Sequence, residues 1–300
     1  MGPLVGLDLR RSSPRFPGPH VINYGATLDV ARELVWFVAR LLQAERRRRG
    51  TRRARRALTP YWQAVLVLRW FRDATPVHRL ATDHRISIAT AYRYLHEAIT
   101  ALAAQAPDLH HVLRERHARG DTHVILDGSL ISCDRVAATT VKTKGKNRGR
   151  IVHLWYSGKH RAFGGNIQFL ASPDGFPLWV SAVLPGSRND LSAARDHGIV
   201  GALTAVAGQG LKTLADKAYH AAGIGILTPF KKTAGQPPLN ARQRVHNLLH
   251  ARTRAPGERA MAILKTRWTA LHRVTLCPHR IGAIVQAALV LTHHEHHGRY

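Results

Sequence analysis

The hydrophobic pattern of the chain changes near Thr122, and this change constrains the fold more than any other feature of the sequence. Before it, apolar residues recur at helical spacing, most clearly over 26–43, which predicts a helix there. After it come apolar runs of strand length, at 123–126, 166–171, 178–184 and 212–215. The pattern predicts an all-α N-terminal region followed by a mixed α/β domain of the α+β kind.

The same pattern predicts four parts of the chain. They are an arm, helix and basic linker over 1–57, several short helices over 58–106, the α/β domain over 121–292 and a polar tail over 293–300. The polar stretch from Pro107 to Asp121 is the predicted boundary. The tail is rich in histidine and could capture a transition metal, although a plain polar tail is the simpler interpretation.

Local signals predict where several helices and turns begin. Thr59 followed by Pro60 predicts a capped helix start. The sequence Ser-Pro-Asp-Gly at 172–175 predicts a hairpin turn. Asn189-Asp190 is predicted to open another helix, and Asn240 is a candidate cap for a long helical region.

The segment 75–99 predicts two helices joined by a tight turn. A short helix runs through Leu80, the turn lies at 84–86, and Ser87 caps the second helix. The residues that this arrangement turns toward the DNA major groove are Ala89, Thr90, Tyr92 and Arg93. The residues that it packs inward are Ala91, Tyr94 and Leu95. The alternative is an ordinary helical hairpin without DNA recognition.

Charge identifies the first partner to consider. The chain has 45 Lys and Arg residues against 18 Asp and Glu residues, so its formal net charge is +27. A surface this basic attracts polyanions, and nucleic acid is the expected one. The arginine-rich run 46–56 is either a solvated linker or a phosphate-contacting segment.

The sequence predicts a protein of the cytoplasm that associates with the nucleoid and not with a membrane. The first 20 residues lack the apolar stretch of a secretory signal. The longest apolar run, 281–291, is shorter than the roughly 20 residues that cross a bilayer. Two distant cysteines predict neither a disulfide framework nor a cysteine zinc site.

Acidic residues are scarce, so their positions are informative: only eight follow Thr122. Asp127 directly follows one apolar strand and Asp216 another, and Glu258 begins an amphipathic helical run. Asp190 stands at the start of the helix after the third strand. Taken singly, each carboxylate is readily explained as a turn former or helix cap, and Asp190 especially as an N-cap or first-turn acid.

Taken together, the same carboxylates predict a metal site. Two carboxylates on neighbouring strands repel each other, and a divalent cation relieves that repulsion. Hard oxygen ligands without clustered histidine or cysteine favour Mg²⁺ or Mn²⁺. Two such ions would suit attack on a phosphodiester, and we expect two.

Several short motifs resemble, in the same order, those of the DDE-superfamily transposases of bacterial insertion sequences and their Harbinger-like relatives. The resemblance covers about 58–291, including the two predicted helices around the 84–86 turn. Its motifs are Asp127-Gly128-Ser129, Tyr156-Ser157-Gly158-Lys159-His160, Pro173-Asp174-Gly175, Pro185-Gly186-Ser187-Arg188-Asn189-Asp190, Ala215-Asp216-Lys217-Ala218-Tyr219, Pro229-Phe230-Lys231-Lys232 and the run from Glu258 to Lys265.

The resemblance implies an RNase H-like catalytic core that cuts transposon ends and joins strands with Mg²⁺ or Mn²⁺. Asp127, Asp216 and Glu258 match the catalytic acids, and Asp190 matches a further metal ligand of the Harbinger-like branch. The implied partners are double-stranded DNA, as terminal repeats and target, and further copies of the chain. Two departures stand out: a long basic segment at 142–150 and Ala218 where glycine is common.

Basic residues near these motifs are the expected phosphate contacts, which position DNA without reading its sequence. Each of them is equally well explained as a solvated surface charge. They are Lys142, Lys144, Lys146, Lys159, His160, Arg188, Lys231, Lys232, Arg259 and Lys265.

Two other functions compete with the transposase interpretation. A DNA-binding regulator would retain the two-helix motif and lack catalysis. An aspartyl-phosphate phosphatase built on Asp127 is disfavoured, because such enzymes place a second acid two residues later and Ser129 stands there.

Overall fold

The computed structural model describes residues 27–52, 55–141, 148–232, 235 and 237–296. They form two compact units, one from the described residues within 1–101 and 294–300 and the other from those within 102–293. Several predicted features lie outside the described residues: most of the N-terminal arm, the end of the polar tail, and the proposed DNA contacts Lys142, Lys144 and Lys146.

The first unit is helical, as predicted. Its helices are α1 (Arg32–Arg48), α2 (Pro60–Asp73), α3 (Val77–Asp83) and α4 (Ile88–Ala103), the last of which crosses into the second unit. The Thr59 hydroxyl accepts a hydrogen bond from the backbone N–H of Trp62 at 3.3 Å, which confirms the predicted cap before Pro60.

Helix α1 differs from the prediction at both ends. It begins at Arg32 because Leu28 and Val30, which suggested helical spacing, are buried in an extended segment before it. It continues to Arg48 because arginine is a good helix former and Glu45 pairs with Arg48 at 2.7 Å. The predicted arginine linker is therefore partly helix.

One arginine of that run is neither solvated nor free to bind phosphate. Arg46 is buried, and its Nη2 donates to the Gln63 side chain at 2.6 Å and to the carbonyl of Leu58 at 3.0 Å. The two acceptors at Nη2 offset part of the cost of burying the charged group, whose Nε is buried without a hydrogen-bond partner. Arg46 thus links α1 to the start of α2.

Helices α3 and α4 and the turn between them agree with the prediction. Arg85 in the turn has a positive φ of 53°, and the Ser87 hydroxyl accepts from the N–H of Thr90 at 3.2 Å. The residues predicted to pack inward, Ala91, Tyr94 and Leu95, are buried. Those predicted to face outward are exposed (Ala89, Tyr92 and Arg93) or half-buried (Thr90).

The second unit combines a mixed sheet with helices. Its strands are β1 (His123–Ser132), β2 (Thr139–Val141), β3 (Ile151–His153), β4 (Tyr156–Ser157), β5 (Ala162–Ala171), β6 (Pro177–Val180), β7 (Leu184–Pro185), β8 (Lys212–Ala215) and β9 (Ile226–Leu227). Its helices are α5 (Leu109–Ala118), α6 (Asp190–Asp196), α7 (Ile199–Ala207), α8 (Ala241–Arg254), α9 (Gly257–Arg267) and α10 (Ile281–Glu295).

The sheet is antiparallel on one side and parallel on the other. β1 pairs antiparallel with β5, and β4, β6 and β7 each pair antiparallel with β5. On its other side β1 pairs parallel with β8, which pairs parallel with β9. Strands β2 and β3 form a separate antiparallel pair. The mixed α/β class predicted for this region is confirmed.

Strand β1 is longer than predicted, so Asp127 does not end it. The antiparallel pairing with β5 continues from Leu126↔Leu170 to Ser132↔Gly164. Only the parallel pairing with β8 stops before Asp127, at Leu126↔Ala215. The apolar run marks the part of β1 that has a strand on both sides, which explains why it was mistaken for the whole strand.

Two further segments correct the prediction. The predicted third strand, 178–184, is interrupted, because the Ser181 hydroxyl accepts from the N–H of Gln168 in place of regular pairing. The predicted polar boundary contains helix α5, which Asp108 caps at 3.0 Å from the N–H of His111. Leu109, Val112 and Leu113 of α5 belong to the core of the second unit.

The hairpin turn at 172–175 lies against the junction of α8 and α9. Gly175 has a φ of +86°, and a side chain there would collide with the carbonyl oxygen of Pro256. Asn240 and Gln243 form a capping box at the start of α8, which confirms the predicted cap. Gly257 packs against Ile125 and brings the first turn of α9 onto β1.

The apolar run 281–291 forms helix α10 and is largely buried. It is tied to the end of α9 by the indole N–H of Trp268, which donates to the Thr292 hydroxyl at 2.8 Å. Among the described residues, no helix has both the length and the apolar character needed to cross a bilayer.

Candidate carboxylate site

Asp127 and Asp216 lie side by side because of the strand register. Leu126 and Ala215 form the last parallel pair of β1 and β8, so the residue that follows in each chain segment is an aspartate. Asp216 caps a short 3-10 turn at 217–219 and accepts from the N–H of Ala218 at 2.8 Å. The cap uses one carboxylate oxygen, Oδ1, so capping does not exclude a second role.

Asp190 approaches β1 from helix α6, close enough for its charge to act on Asp127. The cap of α6 is Asn189, whose side chain accepts from the N–H of Ser192 at 2.9 Å, so the N-cap explanation of Asp190 is wrong. Asp190 is a first-turn acid, as also proposed, but it is buried. Asn166 on β5 donates to its Oδ1 at 2.9 Å, and Lys159 donates to its Oδ2 at 3.1 Å.

Gly128 makes room for Asp190. A β-carbon built on Gly128 would lie 2.5 Å from Oδ1 and 2.8 Å from Cγ of Asp190. Because side chains alternate along a strand, Asp127 and Gly128 point to opposite faces of the sheet. The Asp190 carboxylate therefore occupies the space beside β1 that any other residue at 128 would fill.

A buried chain of neutral hydrogen bonds supports Asp190. Asn166 donates to Asp190, Gln168 Nε2 donates to Asn166 Oδ1 at 2.8 Å, and the Tyr219 hydroxyl donates to Gln168 Oε1. Burial raises the pKa of Tyr219 well above its ordinary value, and the charges of the three nearby aspartates raise it further. Tyr219 consequently stays a hydrogen-bond donor.

This series of hydrogen-bonded side chains was not predicted from the sequence. Asn166 and Gln168 occupy alternate positions of an otherwise apolar strand, which places both on one face. Two polar residues at that spacing in a buried strand are a signal for a shared polar partner. That signal would have identified both of them.

Glu258 joins the site through an arginine. Arg254, the last residue of α8, donates from Nη1 to Asp127 Oδ2 at 3.1 Å, and its Nη2 lies 3.6 Å from Glu258 Oε1. The Glu258 side chain is 74% exposed, whereas that of Asp127 is 22% exposed. Arg254 was also missed, although its position four residues before Glu258 is the spacing of helical ion pairs.

The carboxylates of the site repel one another, and burial adds to the cost of their charge. Burial raises the pKa of Asp127, while the N–H of Gly128 and the charge of Arg254 lower it. The charges of Asp216 and Asp190 raise it again, which shows that the three carboxylates interact. Among the described residues, however, no three acidic, histidine or cysteine side chains are close enough to hold one metal ion as they stand.

The basic residues proposed to contact DNA fall into two groups. A cavity of about 320 Å³ opens beside Asp190 and is lined in part by Lys159, His160 and Arg188. Exposed positions elsewhere are held by Lys231, Lys232 and Arg259. Arg188 also pairs with Asp196, and Arg259 donates to the carbonyl of Asp174 at 3.4 Å.

Lys265 differs from the others because it points into the protein. It is half-buried, and its Nζ donates to the Ser129 hydroxyl and the Leu130 carbonyl, both at 3.4 Å. Burial lowers the pKa of Lys265, since the apolar surroundings disfavour its charged form.

Comparison with known proteins places this geometry in context. A family model described as a DDE superfamily endonuclease matches residues 126–293, which is more than half of the chain and includes the four acidic residues. A protein of Streptomyces albus G, named provisionally as a transposase for insertion sequence element IS112, is 28% identical over 204 residues, and the match covers 68% of each chain. No solved structure gives a significant match.

Proposed function

Because the chain belongs to the DDE superfamily endonuclease family, we propose that it is a DNA transposase that cuts at transposon ends and transfers strands at the carboxylate site. The resemblance inferred from the motifs is thus confirmed at the level of the family. The relative named for an insertion sequence supports transposition as the purpose of the nuclease.

The observation that carries this proposal is the gathering of four acids from separate segments. Asp127 comes from β1, Asp190 from α6, Asp216 from the end of β8 and Glu258 from α9. In a chain of net charge +27, acids are scarce, and the mutual repulsion of Asp127, Asp190 and Asp216 costs free energy. A catalytic role at a DNA phosphate accounts for that cost.

The order of the sheet supports an RNase H-like core. Three antiparallel strands, β6, β5 and β1, are followed across the sheet by the parallel strands β8 and β9. This order places the first and fourth long strands side by side. Their parallel pairing ends at Leu126 and Ala215, which brings the next residues, Asp127 and Asp216, side by side as the proposed chemistry requires.

The donor set fits a divalent ion of the Mg²⁺ or Mn²⁺ type. All four ligands proposed are hard carboxylate oxygens, and their mutual repulsion is reduced by a cation. Members of this kind of nuclease generally use divalent metal ions, and we propose two per site. When bound, such ions supply an activated oxygen nucleophile and stabilise charge at phosphorus.

The residues of the chain have separate tasks in this proposal. Asp127, Asp216 and Glu258 are the catalytic carboxylates, and Asp190 is a fourth ligand that Asn166 holds in place. Lys159 and His160 hold the DNA phosphates beside Asp190, where the cavity opens. Lys231, Lys232, Arg188, Arg259 and Lys265 are further proposed phosphate contacts, with Lys265 needing to turn outward.

The first unit is proposed to bind transposon ends as a helix-turn-helix. Helices α3 and α4 are joined by a four-residue turn, and the first turns of α4 expose Tyr92 and Arg93 beside Ala89 and Thr90. Such a helix start fits the DNA major groove. We further propose that several copies of the chain assemble on DNA, since transposition joins two ends.

Substitution of the acids tests the proposal. Asp127→Asn, Asp216→Asn and Glu258→Gln should each lower Mg²⁺-dependent cleavage of DNA from the flanks of the coding region by about 10²–10³-fold. Affinity for the same DNA, measured without metal, should not fall. Asp134→Asn is the matched control, because Asp134 is a surface acid paired with Arg273 at 2.7 Å.

The outcomes separate the two main candidate functions. Loss of cleavage with retained DNA binding supports the enzyme. A wild-type protein that binds the DNA but never cuts it supports the regulator instead. Cleavage that is unchanged in the Asp127 and Glu258 variants rejects the assigned site.

A further inference from the structure

Arg254 contacts carboxylates on two different elements, Asp127 on β1 and Glu258 on α9. We propose that Arg254 takes the place of a metal ion between these two carboxylates, so that ion binding and release of the arginine are a single exchange. The inference rests on the proposed function, since it assumes that Asp127 and Glu258 bind the ion.

The two terminal nitrogens of the guanidinium allow Arg254 to occupy the position of an ion between two carboxylates. One nitrogen, Nη1, lies 3.1 Å from Asp127 Oδ2, and the other, Nη2, lies 3.6 Å from Glu258 Oε1. Arginine suits such bridging because its donors point in fixed directions. The ion would need the same oxygen atoms, and two cations that compete for them also repel each other. Arg254 and the ion are therefore alternatives.

The exchange is feasible because half of the arginine contact is weak. Glu258 is 74% exposed, so water screens its pairing with Arg254. The contact with Asp127 is better shielded, with side-chain exposures of 18% and 22%. Arg254 is also the final residue of α8, so its movement leaves the helix before it intact.

The other cation of the site is built differently. Lys159 is 62% exposed and donates to a single carboxylate, Asp190, whose second oxygen already accepts from Asn166. A lone ammonium on one carboxylate does not bridge two ligands. The exchange is thus a property of Arg254 rather than of any basic residue near the acids.

The exchange has a measurable cost for metal affinity. When the binding-competent form is only a fraction of the population, the apparent dissociation constant is the intrinsic one divided by that fraction. Arg254 holds the protein in a form whose two carboxylates already share one cation. Removing it should therefore increase affinity for the ion even without DNA.

The test is a titration of the full chain with Mn²⁺ in the absence of DNA, followed by calorimetry and by the electron paramagnetic resonance signal of free Mn²⁺. Arg254→Gln removes the bridge, and Arg254→Lys keeps the charge without the fork. Arg252→Gln is the matched control, because Arg252 is an exposed arginine of the same helix.

We expect Arg254→Gln to bind Mn²⁺ about tenfold more tightly, Arg254→Lys to gain less, and Arg252→Gln to match the wild type. The exchange is overturned if Arg254→Gln binds no more tightly than Arg252→Gln. It is also overturned if Arg254→Lys equals the wild type, since charge alone then explains the effect.

Asp127→Asn in the same titration separates this inference from the proposed function. If it loses Mn²⁺ binding while Arg254→Gln is unchanged, the exchange alone fails. If Asp127→Asn binds Mn²⁺ like the wild type, the assigned metal ligand is wrong and both proposals fall.

Discussion

The two faces of strand β1 stabilise their carboxylates by different means. On one face, Asp190 is buried; its Oδ1 accepts from the neutral donor Asn166, which Gln168 and Tyr219 support in turn, and the exposed Lys159 donates to its Oδ2. On the other, Asp127 is paired with a charged side chain, Arg254, which also faces the exposed Glu258.

The comparison distinguishes contacts that fix the position of a carboxylate from contacts that mainly balance its charge. Buried neutral hydrogen bonds fix the direction of a carboxylate, because breaking any one of them leaves a polar group unsatisfied. A partly exposed cation mainly neutralises charge and is readily replaced by another cation. We therefore expect substitutions on the Asp190 face to change stability and those on the Arg254 face to change ion binding.

The largest effect on stability and cleavage is expected from Gly128→Ala, which adds a methyl group where β1 packs against Asp190. The new methyl group would lie 2.5 Å from Asp190 Oδ1, so Asp190 must move. Overpacking of this kind costs about 1–3 kcal/mol of unfolding free energy. Loss of alignment should lower cleavage about 10²-fold, as measured in single-turnover assays with Mg²⁺.

Gly201→Ala provides the matched control. Gly201 lies in α7, and nothing is within 4 Å of a β-carbon placed there. The substitution should stabilise the helix slightly and leave cleavage unchanged. Equal behaviour of the two alanine variants would contradict the importance of the close approach at residue 128.

A smaller effect is expected from Tyr219→Phe at the far end of the buried chain. It removes the donor to Gln168 Oε1 and should lower unfolding free energy by about 1–3 kcal/mol in urea titrations. Cleavage should fall by less than in Gly128→Ala, because Asn166 still contacts Asp190. Tyr156→Phe is the control, since Tyr156 is 38% exposed. If the Tyr219→Phe protein is as stable as this control, the hydrogen bonds that link Tyr219 to Asp190 do not contribute to stability.

The smallest effect is expected on the α9 side, from Lys265→Met. Removing a half-buried charge should raise unfolding free energy by about 1 kcal/mol at pH 7, because burial disfavours the charged form and lowers the pKa of Lys265. Because the pKa of Lys265 is lowered by folding, the folded lysine loses its proton first as pH rises. The advantage of methionine should then shrink in alkaline solution.

The measurement is urea unfolding of both proteins at pH 7 and at higher pH. A methionine variant that is less stable at pH 7 would show that the ammonium is stabilised by its contacts with Ser129 and Leu130. A difference that does not change with pH would show that its pKa is not lowered.

Sequence patterns were most informative where they act locally. The caps at Thr59, Ser87 and Asn240 were predicted because a capping side chain bonds a backbone group only three residues away. The mixed α/β class was also predicted, since strand-length apolar runs are visible in the sequence.

Features that depend on distant partners were missed. The second half of β1 is held by β5 alone, so it lacks the apolar run that marked the first half. Arg254 and Asn166 acquire their roles only when separate segments meet at the acids. The four acids themselves were identified by their scarcity and their places after apolar runs or at predicted helix starts, whereas their partners are common polar residues with no such distinction.

The hairpin turn at 172–175 sets the distance between charged groups that it never touches. Gly175 lies so close to the backbone of Pro256 that any larger residue would push away the joint between α8 and α9. Arg254 and Glu258 stand on either side of that joint. Gly175 has no side chain, and this allows the turn to pack directly against the backbone between α8 and α9. A single added methyl group there would displace this backbone and change the distance between the arginine and the glutamate.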